Sequence, residues 1–178
     1  GVAMVEMLNM LEGYDLAAMG HNSADYLHVL TEVMRRSYAD RAEHLGDPDF
    51  NESMPLTRLM DKDYAATLRE SIDMDKKSDS SPIEFAQAYE SEETTHFSVV
   101  DKDGNMVSMT YTLEFGYGSA IVAEGGGYLL NNELGDFNAV PGVTDMRGNI
   151  GTAPNLVEPQ KRPLSSMTPT IVAQDGKP

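Results

Sequence analysis

A polar linker running from about Asp75 to Glu92 ends directly at two runs of β-forming residues joined by a turn. Thr95 to Val100 is rich in β-branched and aromatic side chains, and Met106 to Thr112 reads as a partner strand. Between them, Asp101-Lys102-Asp103-Gly104-Asn105 supplies turn chemistry, with glycine free to take positive φ. The pattern predicts a β-hairpin whose first strand starts at a threonine immediately after a linker. Upstream of the linker the apolar period is helical. Helices first and strands later is an α+β order with layered packing.

Val2, Met4, Val5, Leu8 and Leu11 lie at helical spacing, with Gly13 as a stop. Asn22-Ser23 offers an N-cap to a second helix, with Asp25 in its first turn. Tyr26, Leu30, Val33, Met34, Tyr38 and Leu45 form its expected core-facing stripe. Gly46 is read as closing that helix, and Asp47-Pro48 bars its continuation. A third helix is expected from Asp63 to Ile72, with Leu59 and Met60 in its lead-in. From Asp73 to Glu93 the composition shifts to Asp, Lys, Ser and Glu with one Pro at 82, a linker by composition.

Beyond the hairpin, Gly116-Tyr117-Gly118 and Gly125-Gly126-Gly127 are turn glycines. Neither has the following Lys-Ser/Thr and helix that a phosphate loop needs. Tyr128-Leu129-Leu130 reads as a short buried strand, and Ser165 to Val172 as a returning strand. Gly135 to Glu158 is irregular and too long for an idle connection.

The 178 residues and 40% hydrophobic content suit one domain or a large part of one. A net charge of −16 argues against nucleic-acid or anionic-membrane partners, which need clustered Lys and Arg. No stretch approaches the roughly 20 apolar residues of a membrane span. The chain opens as if within a helix, so the lack of a signal-peptide pattern is uninformative. Zero cysteines exclude disulfides, thiolate metal sites and Cys nucleophiles, and leave the compartment undecided. His21, His28, His44 and His96 lack metal-ligand spacing, so neither a metal nor a cofactor is expected. His28 and His44 are expected on helix surfaces.

Thr94 is the residue with chemistry to offer. A threonine hydroxyl is a weak nucleophile until a neighbouring base takes its proton. Cleavage just before Thr94 would free an α-amine on the same residue, and its reference pKa of about 8 leaves a usable neutral fraction near pH 7. Threonine is common in strands, so the pattern alone favours an ordinary threonine leading a strand over a nucleophile.

Three later stretches bear on that choice. Thr94-Thr95-His96-Phe97-Ser98-Val99-Val100-Asp101, Leu129-Leu130-Asn131-Asn132-Glu133-Leu134-Gly135-Asp136-Phe137 and Lys161-Arg162-Pro163-Leu164-Ser165-Ser166-Met167-Thr168-Pro169-Thr170-Ile171 together resemble γ-glutamyltranspeptidase. That family belongs to the N-terminal-nucleophile hydrolases, which mature by autocleavage. The resemblance extends upstream through Ser23-Ala24-Asp25, Tyr38-Ala39-Asp40-Arg41 and Leu45-Gly46-Asp47-Pro48-Asp49-Phe50, with similar spacing throughout.

The resemblance implies a four-layer αββα sandwich, of which this chain holds a part. Residues 1–93 would be the C-terminal part of a large subunit and 94–178 the N-terminal part of a small one. Cleavage would fall between Glu93 and Thr94, with Thr94 as nucleophile and Thr112 orienting it. Glu133 and Asp136 would take the α-amino group of glutamate, and Ser165 and Ser166 its α-carboxylate. In isolation the two acids are ordinary loop carboxylates and the serines a polar bend after Pro163. Glu114 stands where many relatives carry Asn; a carboxylate there accepts from an ammonium but cannot donate to a carboxylate. Asn138 to Leu156 matches a lid, with Arg147 where such lids often place an aromatic.

The implied substrates are a small-molecule γ-glutamyl donor and an amino acid, peptide or water acceptor. The implied partners are the remainder of its own large and small subunits, in a periplasmic or extracellular setting. A glycine pair for the oxyanion is expected beyond Pro178, and a carboxylate-binding arginine before Gly1. By itself the chain is then expected to be nearly inactive. Two other readings stay open: an acylase for glutaryl or poly-γ-glutamyl amides, and a non-catalytic interaction domain.

Overall fold

The computed structural model describes residues 1–79, 94–138, 141–142 and 152–177. Glu93, most of the linker, and Arg147 with most of the expected lid lie outside the described residues.

Among the described residues five helices come first: α1 (Val2–Leu11), α2 (Leu16–Met19), α3 (Ala24–His44), α4 (Leu56–Leu59) and α5 (Lys62–Glu70). A hairpin of β1 (Thr95–Val100) and β2 (Met106–Tyr111) follows, then two 3₁₀ turns, Glu133–Asp136 and Ala153–Asn155. The order is α+β. No helix among the described residues is long and apolar enough to cross a membrane.

Side chains set the helix starts. Ser23 Oγ accepts from Tyr26 N at 3.1 Å to begin α3, a cap worth about 1 kcal/mol. Asp61 Oδ1 accepts from Asp63 N and Tyr64 N at 2.9 and 3.0 Å, so α5 starts one residue before the expected Asp63 and ends at Glu70. Asp15 Oδ1 accepts from Ala18 N, capping the short α2, which the apolar pattern did not announce. Leu59 ends a separate helix, α4, rather than leading into α5.

The core joins α1, α3 and α5. Met10, Val29, Val33 and Ala65 are fully buried, with Met7, Leu11, Tyr14, Met19, Leu68 and Ile72 packed around them. The buried face of α3 is Val29, Glu32, Val33 and Ser37, whereas the expected stripe members Met34 and Tyr38 are 42% and 48% exposed. On α1 the buried residues are Glu6 and Met10, and Leu8 is exposed. Two buried carboxylates, Glu32 and Glu6, lie among these helices. Glu32 accepts from Ser78 N at 2.9 Å and Arg36 Nη1 at 2.7 Å. Glu6 meets Asp40 and Ser37.

The end of α3 and the residues just after it dock on residues 152–154. Leu45 is the extended cap of α3, so the helix stops before Gly46. Gly46 serves close approach instead: a Cβ there would lie 2.2 Å from Pro154 O. Asn51 Nδ2 donates to Pro154 O at 3.1 Å, and Thr152 Oγ1 donates to Ala42 O. His28 and His44 are half-buried; His28 Nε2 bonds Asp73 O at 2.9 Å.

The hairpin is antiparallel, running from Thr95↔Tyr111 to Val100↔Met106. Asp101 builds its turn, accepting from Asp103 N and Asn105 N at 2.9 Å each while Gly104 takes φ +84°. Tyr128-Leu129-Leu130 contributes one bridge, Val122↔Leu129, rather than a strand. Ser165 to Val172 is not a strand either: no ladder forms on it among the described residues, and side chains hold its start instead.

Candidate active site

Thr94 sits one residue before β1, and Thr112 one residue after β2, so the hairpin register brings them together. Their hydroxyl oxygens are hydrogen-bonded at 3.2 Å, long for a hydroxyl pair. Thr112 Oγ1 also accepts from Glu114 N at 2.9 Å. Thr94 is exposed and Thr112 half-buried.

Glu114 has φ +74°, in the left-handed region that a residue with a Cβ rarely adopts. Such a backbone costs about 1–3 kcal/mol and persists where neighbours over-determine it. Asn132 holds this stretch with three hydrogen bonds. Its Nδ2 donates to Glu114 Oε2 at 2.7 Å, its Oδ1 accepts from Phe115 N at 3.1 Å, and its backbone N donates to Leu113 O at 3.1 Å.

The next two residues of the sequence-derived site lie on the 3₁₀ turn that Asn132 leads into. Glu133 and Asp136 share a hydrogen bond across that turn. Burial, that shared hydrogen bond and the adjacent like charge push the Glu133 carboxyl up to about 7. A carboxyl pair that keeps a proton near neutrality is a site suited to a cation, which can replace the proton.

The turn is tied to the serine pair by Asn155, which is buried. Its Nδ2 donates to Asp136 O at 2.7 Å, and its Oδ1 accepts from Leu164 N at 2.9 Å. Asn138 N donates to Asn155 O at 2.9 Å, which anchors the other side of the turn. Ser165 Oγ accepts from Met167 N at 3.1 Å. Ser166 Oγ accepts from Arg41 Nη2 at 3.0 Å. Burial lowers the Arg41 pKa, while Tyr38 and Asp136 pull it the other way. Arg41, Ser165 and Ser166 together line one wall of an open cleft of about 460 Å³ whose other walls include Met4, Met34 and Leu56.

A run of hydrogen bonds and adjacent residues therefore links Thr94, Thr112, Glu114, Asn132, Glu133, Asp136, Asn155 and the Ser165-Ser166 segment. Asn132, Asn155 and Arg41 were not given roles from the sequence. Arg41 lies within the Tyr38-Ala39-Asp40-Arg41 stretch that carries the resemblance, and Asn132 lies beside the two acids. Asn155 had no signal beyond its place in an irregular segment. Glu93, the other side of the expected cleavage site, lies outside the described residues. Among the described residues, no group of three or more His, Asp or Glu is placed to hold a metal ion.

Compared with known proteins, residues 1–178 match the family model for gamma-glutamyltranspeptidase. The chain is 49% identical over 179 residues to the glutathione hydrolase proenzyme of Escherichia coli (strain K12), covering 99% of this chain and 31% of that protein. It is 48% identical over 178 residues to the glutathione hydrolase proenzyme of Pseudomonas sp. (strain A14), again covering 99% of this chain and 31% of that protein. The solved structure of cephalosporin acylase from Bacillus halodurans matches 91% of this chain and 26% of that chain, with TM-score 0.62 and 25% identity. The chain thus spans under a third of the length of the curated relatives it matches. A family model that accounts for every residue, with relatives at nearly half identity, leaves one ancestry: this chain belongs to the gamma-glutamyltranspeptidase family.

Proposed function

We propose that the full-length protein carrying this chain transfers or hydrolyses the γ-glutamyl group of glutathione-like amides through a γ-glutamyl ester on Thr94. The observation that carries this reading is the hydrogen bond between Thr94 Oγ1 and Thr112 Oγ1 at the mouth of the hairpin. Cleavage before Thr94 first frees its α-amine. That amine then takes the Thr94 hydroxyl proton as the oxygen attacks the γ-carbonyl carbon. Collapse of the tetrahedral intermediate breaks the amide C–N bond, and the same proton leaves with the amine. Water or an acceptor amine then attacks the ester, releasing glutamate or a new γ-glutamyl amide and restoring the hydroxyl.

The substrate head group would lie between Glu133 and Asp136, which take its ammonium, and Ser165 and Ser166, which take its carboxylate. Glu114 would add a further acceptor for the ammonium. On this reading residues 1–93 and 94–178 become parts of separate subunits of a four-layer sandwich, in a periplasmic or extracellular enzyme. The exposed apolar side chains of the hairpin, Phe97, Val99, Val107 and Met109, would be covered by the rest of that sandwich.

The likeness to a cephalosporin acylase keeps an acylase as the competing reading, for which glutaryl amides are the substrates to test. A steady-state comparison of the full-length protein and Asp136→Ala on γ-glutamyl and glutaryl p-nitroanilides separates the two. A charge-assisted hydrogen bond is worth about 1.5–3 kcal/mol, so Asp136→Ala should lower kcat/KM for the γ-glutamyl substrate about tenfold or more. The glutaryl substrate, which has no α-amino group, should be nearly indifferent. Equal losses on both would remove Asp136 from the head-group site.

A further inference from the structure

We propose that Asp47 is a positioning residue for the Ser165-Ser166 pair, acting through Arg162; this rests on the reading of those serines as the carboxylate site. Asp47 follows the end of α3, and its side chain is 1% exposed. Gly46 lies against Pro154, so the chain turns inward just there. Asp47 Oδ2 accepts from the Arg162 backbone N at 2.7 Å and from Nε at 3.0 Å. Oδ1 accepts from Arg162 Nη2 at 2.5 Å and from Asp49 N at 3.1 Å. The same Nη2 reaches Asp49 Oδ2 at 2.6 Å.

One carboxylate thus fixes both the main chain and the side chain of Arg162. Bonding a backbone N–H and a guanidinium together sets the position and the direction in which the chain leaves that residue. Pro163 follows with its φ restricted, and Leu164 N is taken by Asn155. Ser165 comes next. No strand pairing holds this stretch among the described residues, so the buried carboxylate replaces a sheet ladder as its support. The Arg162 side chain itself is 63% exposed, which makes the buried Asp47 the fixed member of the pair.

The contact also bridges the two sides of Thr94 in sequence. After cleavage it would join the separate pieces, so the serine pair on one would be held in register by an acid on the other.

The test uses the full-length protein and three p-nitroanilides: γ-glutamyl, with both head-group charges; glutaryl, with only the carboxylate; and 4-aminobutyryl, with only the ammonium. Asp47→Asn keeps the shape but sets an amide against the Arg162 N–H groups. It should raise KM for the γ-glutamyl and glutaryl substrates about tenfold, change kcat by less than about threefold, and leave the 4-aminobutyryl substrate unaffected. Arg162→Lys keeps the backbone bond and the charge but loses the fork, and should show the same selectivity at smaller size. If Asp47→Asn does not fold, Arg162→Lys decides alone. Losses shared by all three substrates, or no change in any, overturn the inference while the parent's γ-glutamyl activity stands. A parent inactive on γ-glutamyl amides would instead overturn the functional reading, and the inference with it.

Discussion

Asn132 holds Glu114 from two directions, donating to Oε2 at 2.7 Å and accepting from the next backbone N–H, of Phe115, at 3.1 Å. Glu114 keeps φ +74° under that clamp, two residues beyond the threonine that contacts Thr94. The geometry beside Thr94, the proposed nucleophile, is therefore set from the turn that bears Glu133 and Asp136.

The clamp predicts the behaviour of Asn132 variants. Asn132→Ala in the full-length protein should lower kcat/KM for a γ-glutamyl anilide by about tenfold, the scale of one hydrogen bond to a charged group. Asn132→Asp should be worse, because it turns a donor into a second carboxylate facing Glu114. Steady-state kinetics on both variants check the order; an Asn132→Asp enzyme as active as the parent would contradict it.

Glu133 predicts a pH dependence of binding. Its carboxyl, pushed up to about 7 by burial and by the hydrogen bond shared with Asp136, loses its proton as pH rises through neutrality. The deprotonated pair attracts a substrate ammonium more strongly, so KM for γ-glutamyl amides should fall from pH 6 to pH 8. Glu133→Gln should flatten that slope. The glutaryl amide, without an ammonium, should show no such fall in either enzyme.

Two buried acids of the helical core act on stability in opposite senses. Burial, then the hydrogen bond and charge of Asp40, raise Glu6 from its usual 4.5 to about 8. Its favourable contribution is complete below pH 4.5 and is lost as pH rises toward 8. Glu32 is raised by burial, but hydrogen bonds from Ser78 and Arg36 outweigh that and bring it to about 2. Its contribution is present above pH 4.5 and is lost as pH falls toward 2. Thermal unfolding of the full-length protein should show both slopes. Glu6→Gln should raise Tm at pH 8 by on the order of several degrees relative to the parent, and Glu32→Gln should lower it at pH 7. The reverse pair of results would contradict these assignments.

The hairpin was legible because its signals are local: alternating β-formers on each side of a turn that Asp101 and Gly104 build by themselves. The Ser23 cap was legible for the same reason. The faces of α1 and α3 were not. Glu6, Glu32 and Ser37 fall outside the apolar stripes, yet they are buried where packing brings Asp40 to Glu6 and Ser78 to Glu32. The segment after Arg162 misled in the opposite way. Its apolar and β-branched content suggests a strand, yet Asp47 and Asn155, distant in sequence, hold its start. Within the site, the threonines, acids and serines stood out by family pattern, whereas Asn132, Asn155 and Arg41 act through contacts that no spacing reveals.

On the proposed function, Thr94 becomes an N-terminal nucleophile by self-cleavage. Its most direct test is intact mass and N-terminal sequencing of the purified full-length protein beside Thr94→Ala. The parent should give two pieces, the smaller beginning Thr94-Thr95-His96, and the variant one uncut chain. A parent that stays uncut while it turns over γ-glutamyl amides, or a Thr94→Ala protein cut at the same bond, would contradict it.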